Sequence, residues 1–135
     1  MNVLPKLACH VRVIGGIAHA TIGGGVVTPP GLADLGAQTV AALGGADALV
    51  FLADFRRSMW AMKTAQLDAF FDDADPAVLV PAALVVQEVY LPMFRSHAWN
   101  VAQGGIIRKV FTDPNAALRW CRMRADLHRL PQTVP

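Results

Sequence analysis

Five segments of the chain carry the hydrophobic pattern of β-strands. Apolar residues recur through residues 7–22, where Gly15 and Gly16 interrupt them as a two-residue hairpin turn would. Three later segments, residues 46–55, 82–87 and 106–111, are also interpreted as buried strands. Residues 48–52 in the first of them show no polar alternation, as is typical of a strand covered on both faces. The pattern predicts an antiparallel hairpin followed by three buried strands.

A helical stretch follows the hairpin, and another follows each later strand. Thr28 with Pro29, and Asp113 with Pro114, pair a capping side chain with a residue whose φ angle is already helical. The first helix is expected to end at Gly44. Residues 23–25, all glycine, are interpreted as a flexible loop between the hairpin and this helix, and Gly36 is expected to let the helix approach the sheet closely.

The two middle helices are predicted from their apolar spacing. Thr64 is interpreted as the cap of the second helix, whose buried stripe comprises Leu67, Phe70 and Phe71. Pro92 opens the third helix, on which Trp99 is expected to point away from the core. The segment from residue 55 to residue 63 has no clear periodicity.

Length and composition favour one globular domain spanning residues 1–135. The chain is 54% hydrophobic and 16% charged, which is too apolar for a disordered protein. It contains no apolar run long enough to span a bilayer and no recognisable leader, so a cytoplasmic protein is expected. Some of the apolar surplus is expected to face a partner or a ligand.

Charge is unevenly distributed although the net charge is only +2. One segment is acidic and contains Asp68, Asp72, Asp73 and Asp75, and the last third is rich in arginine. Two solvated faces explain this pattern, and a basic docking surface is the alternative. Few aromatic residues accompany the arginines, so nucleic-acid binding is not predicted.

The order of elements resembles a known family. The segments that carry the resemblance are residues 15–18, 48–56, 81–86 and, above all, 110–120, which begins Val-Phe-Thr-Asp-Pro. Together they resemble the STAS domain of anti-sigma-factor antagonists and sulfate-transporter tails, and more closely the SpoIIAA-like STAS/SEC14 bacterial proteins. The resemblance implies an α/β fold with a mixed five-stranded sheet and four helices, in the order β-β-α-β-α-β-α-β-α.

STAS domains carry an Asp-Ser-Ser-Gly motif whose serine is phosphorylated to control partner binding. The equivalent positions here are residues 62–65, Met-Lys-Thr-Ala, so the motif is absent. Ser58 and Thr64 are the hydroxyls on which a phosphorylation switch would depend. Thr64 is explained as well by helix capping, and Ser58 by an ordinary polar loop.

The segment after the central strand is the predicted partner-binding site, because open α/β sheets bind ligands at the carboxyl ends of their strands. It contributes Arg56, Arg57, Met59, Trp60 and Met62, and Trp99 on the third helix is added to them. Trp, Met and Arg are enriched at the centres of protein interfaces. In the alternative interpretation, Trp60 and one methionine fold inward and cover the edge of the sheet.

Catalysis and metal binding are not predicted. Cys9 and His10 are neighbours on a strand and point to opposite faces, and each of the four histidines stands alone and is expected at the surface or an edge. Asp54 is expected to form a salt bridge with Arg56 or Arg108. An enzyme would require His97, Asp54 and a hydroxyl to converge. No cofactor is predicted.

The leading hypothesis is a non-enzymatic, regulatory STAS-like module that binds another protein or itself. The alternative is a carrier or sensor of a small apolar ligand, which would require a cavity between helices and sheet. A homodimer is expected because a chain this apolar would leave apolar surface uncovered.

Overall fold

A computed structural model describes residues 7–46, 48–70 and 79–129 of the chain. The strands are β1 (Cys9–Ile14), β2 (Ile17–Ile22), β3 (Gly25–Val27), β4 (Val50–Asp54), β5 (Ser58–Trp60), β6 (Ala82–Val85) and β7 (Arg108–Phe111). The helices are α1 (Pro29–Leu43), α2 (Thr64–Phe70), α3 (Leu91–Ala102) and α4 (Pro114–Arg129), with a 3-10 turn at Glu88–Tyr90 before α3. The predicted Phe71 and the acidic residues Asp72, Asp73 and Asp75 lie outside the described residues.

The main sheet has five strands in the order β1-β2-β4-β6-β7. β1 and β2 are antiparallel, and every other neighbouring pair in this sheet is parallel. Gly15 and Gly16 form the hairpin turn with φ angles of 60° and 79°, a region that glycine enters without steric cost. The predicted hairpin and the three later strands are confirmed, with somewhat shorter bounds than predicted. β4 and β6 are buried, but β7 is an edge strand on which Lys109 is exposed, so the prediction of a buried strand is wrong there.

Local capping explains where the first and last helices begin. Thr28 Oγ1 accepts a hydrogen bond from the Gly31 amide at 3.2 Å, and Asp113 Oδ1 accepts one from the Asn115 amide at 2.9 Å. α1 ends at Gly44, whose φ of 55° is left-handed. These predictions are confirmed.

α2 begins differently from the prediction. Thr64 is its first helical residue, and the carbonyl of the preceding Lys63 accepts the first hydrogen bonds, from the amides of Gln66 and Leu67. The Lys63 amide in turn donates to Gln66 Oε1 at 2.8 Å. The capping position is therefore Lys63, and the predicted role of Thr64 as the cap is wrong.

β3 and β5 form a second, two-stranded parallel sheet that was not predicted. Gly25 pairs with Ser58, and Val27 pairs with Trp60. The interpretation of residues 23–25 as a flexible loop is therefore wrong at Gly25, which begins β3. Each strand has only three residues, and a segment that short carries no recognisable period of its own.

Three helices cover one face of the main sheet and one covers the other. Phe51, Ala82 and Leu84 face the cluster on the side of α1, α2 and α3. Leu52, Ala83 and Val85 face Ala117 and Cys121 of α4 on the opposite side. This alternation follows from the two-residue period of a strand and explains why residues 48–53 and 82–86 include no polar residue.

Gly36 of α1 approaches a neighbouring helix and not the sheet. A Cβ atom at this position would lie 2.9 Å from Cζ of Phe70, the last residue of α2. The absence of a side chain thus lets α1 and α2 pack closely. Among the described residues, no helix is both long and apolar enough to cross a bilayer.

Candidate functional site

The carboxyl end of the central strand holds a fixed arginine. Asp54 ends β4, and its Oδ1 accepts from the backbone amide of Arg56 at 3.1 Å and from Nε at 3.0 Å, while Nη2 donates to Oδ2 at 2.8 Å. The Asp54 side chain is 12% exposed, but that of Arg56 is 48% exposed. The expected salt bridge is confirmed, and the paired guanidinium keeps an open side toward solvent.

The electrostatics of this pair agree with its geometry. Burial raises the pKa of Asp54, but the hydrogen bonds and positive charge of Arg56 outweigh it and hold the pKa below its ordinary value. The hydrogen bond from Asp54 raises the pKa of Arg56. Both groups are therefore ionised at neutral pH, and the arginine is held in one orientation.

Beside this pair, β5 exposes a large apolar side chain. Met59 is 58% exposed, and Arg57 is also exposed. The strand is held from its other side, because Tyr90 Oη accepts from the Trp60 amide at 3.1 Å and Gln87 Nε2 donates to the Ser58 carbonyl at 3.1 Å. Met59 is thus presented on a fixed segment.

The same two hydrogen bonds bring the 3-10 turn next to β5. Val89 in this turn is 73% exposed, and it was not among the predicted site residues. We call Arg56, Arg57, Met59 and Val89 the contact surface. Val89 was missed because a single valine between polar residues gives no periodic signal.

Trp60 does not belong to this surface. Its ring packs edge-on against Phe55 and Phe94, with centroid distances of 4.9 Å and 4.8 Å. Met62 is half-buried and packs against the same core. Trp60 and Met62 were expected to face solvent as partner-binding residues, and that expectation is wrong. Both side chains fold inward, as the alternative interpretation expected.

Trp99 is 73% exposed on α3, as expected from its position on the helix. Among the described residues, the ring of Trp60 contacts those of Phe55 and Phe94, and no ring contact joins Trp60 to Trp99. Trp99 lies eight residues after Leu91, the start of α3, which corresponds to about 12 Å along the helix axis. It forms a second exposed point, separate from the contact surface.

The two candidate phosphorylation sites differ in accessibility. Ser58 is 0% exposed on β5, and its Oγ is buried without a hydrogen-bond partner. Thr64 is half-buried at the start of α2. The interpretation of Ser58 as an ordinary polar loop residue is therefore wrong, and a kinase could reach Ser58 only if β5 detached.

His97 is buried, and the prediction that it lies at the surface or at an edge is wrong. It is 0% exposed, with Nδ1 2.6 Å from Oδ1 of Asp68, whose Oδ2 accepts from Asn100 Nδ2 at 2.7 Å. Burial lowers the pKa of His97 in spite of Asp68, so the imidazole is neutral at pH 7. The signal was available, because His97 lies on the helical stripe between the buried Phe94 and Val101.

A cavity of about 100 Å³ lies between the main sheet and the helices α1, α2 and α3. Its walls are mostly apolar and include Ala20, Leu35, Ala53, Phe55, Trp60 and Phe94. Ala53 lies on the central strand with paired strands on both sides, yet it keeps accessible surface because it borders this cavity. The cavity that the ligand hypothesis requires is therefore present.

A few polar side chains also border the cavity. Arg108 is 8% exposed and donates through Nη1 to the carbonyls of Val80 and Ile107, and burial lowers its pKa to about 10. Cys9 is half-buried with its sulfur 3.5 Å from Thr39 Oγ1. Burial raises the pKa of Cys9, so this thiol is not an activated nucleophile.

The groups named for an enzyme do not converge. Asp54 is engaged by Arg56, whereas His97 is engaged by Asp68. Within residues 7–46, 48–70 and 79–129, no three histidine, cysteine or acidic side chains are grouped so that they could hold a metal ion.

The fold is similar to that of a solved structure, an anti-sigma factor antagonist from Mycobacterium paratuberculosis. The TM-score is 0.53 with 13% sequence identity, over 86% of this chain and 94% of that chain. The fold is STAS-like. The predicted mixed five-stranded sheet with four helices is thereby confirmed. No protein-family model matches the chain, and no curated protein matches it in sequence.

Proposed function

We propose that this chain is a non-enzymatic regulatory module of the bacterial cytoplasm that binds another protein, or a second copy of itself, through the contact surface. The observation that carries the proposal is the Asp54–Arg56 pair, which fixes a solvent-facing guanidinium beside the exposed Met59. The STAS-like neighbour is named as an anti-sigma factor antagonist, and a regulatory role for this chain agrees with that name.

Two features make the contact surface suitable for a partner. An arginine held by a bidentate carboxylate loses little conformational entropy on binding, since it is already ordered. Met59 and Val89 offer flexible and branched apolar contacts on segments joined by hydrogen bonds. The partner would therefore present an apolar patch flanked by an acidic group.

A pull-down with the tagged protein, followed by identification of captured proteins, tests this function. We expect the double variant Arg56→Ala/Met59→Asp to capture at least tenfold less of the specific partner than the wild type does. Arg122→Ala on α4 is the matched control, because α4 packs on the opposite face of the sheet and Arg122 is exposed. Equal capture by both variants would remove the contact surface from the proposal.

A homodimer is one form that this binding would take. Sedimentation at micromolar concentration distinguishes the two forms of the proposal. A dimer that dissociates in the Met59→Asp variant supports self-association through the contact surface. A monomeric wild-type protein rejects self-association and leaves only a different protein as the partner.

A second function, the binding of a small apolar ligand, is favoured by the cavity of about 100 Å³. Apolar cavities of comparable size in other proteins accept xenon or small hydrocarbons. We expect pressurised xenon to shift the methyl NMR signals of Leu35 and Leu84, which line the cavity. The Ala53→Leu variant is expected to fill this space and to abolish the xenon-induced shifts. Xenon-induced shifts of equal size in the variant and the wild type would reject a ligand site.

A further inference from the structure

The edge strand β1 presents backbone groups that point out of the main sheet. Within the described residues β1 pairs with β2 alone, in an uninterrupted antiparallel register. The Gly23 amide donates to the Ala8 carbonyl, so the even-numbered residues of this segment direct their backbone groups toward β2. The N–H and C=O groups of the odd-numbered residues therefore point outward at the edge of the sheet.

A side chain of α1 occupies the first part of this edge. Gln38 Oε1 accepts from the Cys9 amide at 3.0 Å, and Gln38 Nε2 donates to the Leu7 carbonyl at 2.9 Å. The carboxamide thus makes the two hydrogen bonds that a peptide group of a neighbouring strand would make.

The middle of the edge has no such cover. Within the described residues, no hydrogen bond reaches the outward-pointing groups of Val11 and Val13. Beyond them, at the hairpin turn, the Gly15 carbonyl accepts from Arg129. We call residues 11–13 the open edge, which offers two N–H and two C=O groups to another strand.

The side chains of this segment combine apolar surface with positive charge. Val13 is 37% exposed, and the following Ile14 is 66% exposed. Arg12 is exposed at the centre of the open edge, opposite the exposed His19 of β2, and it forms no ion pair with a described residue. An exposed edge with apolar side chains is a template for a further strand, and an acidic side chain opposite Arg12 would complement its charge.

We propose that the open edge binds an extended segment of another protein, which adds to the main sheet as a sixth, antiparallel strand and places an acidic residue opposite Arg12. Val11 and Val13 each exchange two backbone hydrogen bonds with the added strand. Arg12 lies between them in a non-hydrogen-bonded pair, where the Cα atoms of opposite residues are only about 4.5 Å apart. Apolar residues flank the acid, next to the two valines. This site shares no residue with the contact surface and goes beyond the function proposed above.

A second copy of this chain fits the open edge less well. A symmetric pair of β1 strands that used all four backbone groups would place two Arg12 side chains directly opposite each other, and like charges in that position are destabilising. A register shifted by two residues would instead require the backbone of Cys9 or of Gly15, which Gln38 and Arg129 already engage. Charge complementarity therefore favours a different, acidic segment.

Two peptides test the proposal by NMR, acetyl-Thr-Val-Glu-Val-Thr-amide and its counterpart with Lys in place of Glu. We expect the amide protons of Val11 and Val13 to exchange with solvent at least fivefold more slowly when the Glu peptide is bound. The amide of Val110 on β7, the other edge strand, is the internal control and should not change. If neither valine amide is protected up to the solubility limit of the Glu peptide, the whole proposal is overturned.

Methylated peptides separate backbone pairing from side-chain contact. N-methylation of both valines in the Glu peptide removes the donors that face β1, so binding should weaken at least tenfold. N-methylation of the Glu alters only the side of the added strand that faces away from β1, and the affinity should change less than threefold. Equal affinities for the two methylated peptides would overturn the pairing at the edge.

Exchange of the charge at Arg12 tests the acidic residue. In about 20 mM salt, where screening is weak, the wild type should bind the Glu peptide at least threefold more tightly than the Lys peptide. Arg12→Glu, a substitution at an exposed position, should reverse this order. An order unchanged by the substitution would overturn the acidic partner. Protection of both valine amides in a wild-type dimer without peptide would make a second copy the occupant and overturn the proposal.

Discussion

Nδ1 of His97 lies 2.6 Å from Oδ1 of Asp68, and this contact joins α3 to α2 across 29 residues of sequence. The imidazole is buried, whereas the carboxylate side chain is 26% exposed. Asn100, one helical turn after His97, donates to the other carboxylate oxygen at 2.7 Å. The two helices that roof the cavity are thus connected by a polar network at their interface.

The burial of His97 predicts a pH dependence of stability. Burial lowers its pKa in the folded state, and the hydrogen bond with Asp68 opposes this only in part. The unfolded chain takes up a proton on this residue near pH 6.5, before the folded protein does. Stability due to this residue is therefore complete above about pH 6.5 and is lost as the pH falls through the folded pKa. Urea unfolding of wild type and His97→Gln from pH 8 to pH 5 measures this pH dependence of stability. The free energy of unfolding should fall more steeply for the wild type, and parallel curves would contradict the prediction.

The Asp54–Arg56 pair predicts a loss of stability in the same direction, but at lower pH. Asp54→Asn is expected to lower the free energy of unfolding at pH 7 by about 1–3 kcal/mol, since several charge-assisted hydrogen bonds are weakened. The folded pKa of Asp54 is lowered, so this stabilisation is complete above about pH 4 and is lost as the pH falls through the folded pKa. Denaturation at pH 7 and pH 3 should show that the free energy of unfolding of the variant approaches that of the wild type in acid.

Asp126→Asn is the control, because Asp126 is 78% exposed and 3.6 Å from Arg129. This substitution should change the free energy of unfolding by less than about 0.5 kcal/mol.

The different burial of Ser58 and Thr64 predicts how a negative charge at each candidate phosphorylation site affects stability. Ser58→Ala removes a buried hydroxyl without a partner and is expected to be neutral or stabilising by up to about 1 kcal/mol. Ser58→Glu forces a carboxylate into the core and is expected to cost more than about 3 kcal/mol. Thr64→Glu places the same charge at the amino end of α2, where it should change stability by less than about 1 kcal/mol. Thermal unfolding compares the three variants, and a well-folded Ser58→Glu protein would show that β5 opens readily.

The two tryptophans predict different effects on stability. Trp60→Ala is expected to lower the free energy of unfolding by about 3 kcal/mol or more, because it removes the ring between Phe55 and Phe94. Trp99→Ala should change it by less than about 0.5 kcal/mol, since Trp99 is 73% exposed. Chemical denaturation measures both variants. Equal losses would mean that Trp99 packs in solution as Trp60 does.

Most of the main sheet could be predicted because its signals are local. The φ angles that Gly15 and Gly16 permit, and the caps supplied by Thr28 and Asp113, act within four residues of sequence. The small sheet of β3 and β5 could not be predicted in this way. Its three-residue strands exist because parallel pairing joins Gly25 to Ser58 across 33 residues, and neither strand forms without the other.

The candidate site shows the same division. The sequence offered Arg56 or Arg108 as the partner of Asp54, and the pair with Arg56 is the local one, since the two residues are only two positions apart. It could not decide whether Trp60 faced solvent, since Phe94 and Tyr90 reach it from elements 30 or more residues away.

By itself, the sequence determined the strands of the main sheet and the four helices, and it limited the salt-bridge partner of Asp54 to Arg56 or Arg108. These depend on backbone conformations and hydrogen bonds within a few residues. Only the tertiary structure decided that Trp60 packs inward, that His97 is buried and that a cavity lies between the sheet and α1, α2 and α3. Burial and cavity volume are set by side chains that arrive from distant parts of the chain, and each side chain's environment depends on how all the others pack.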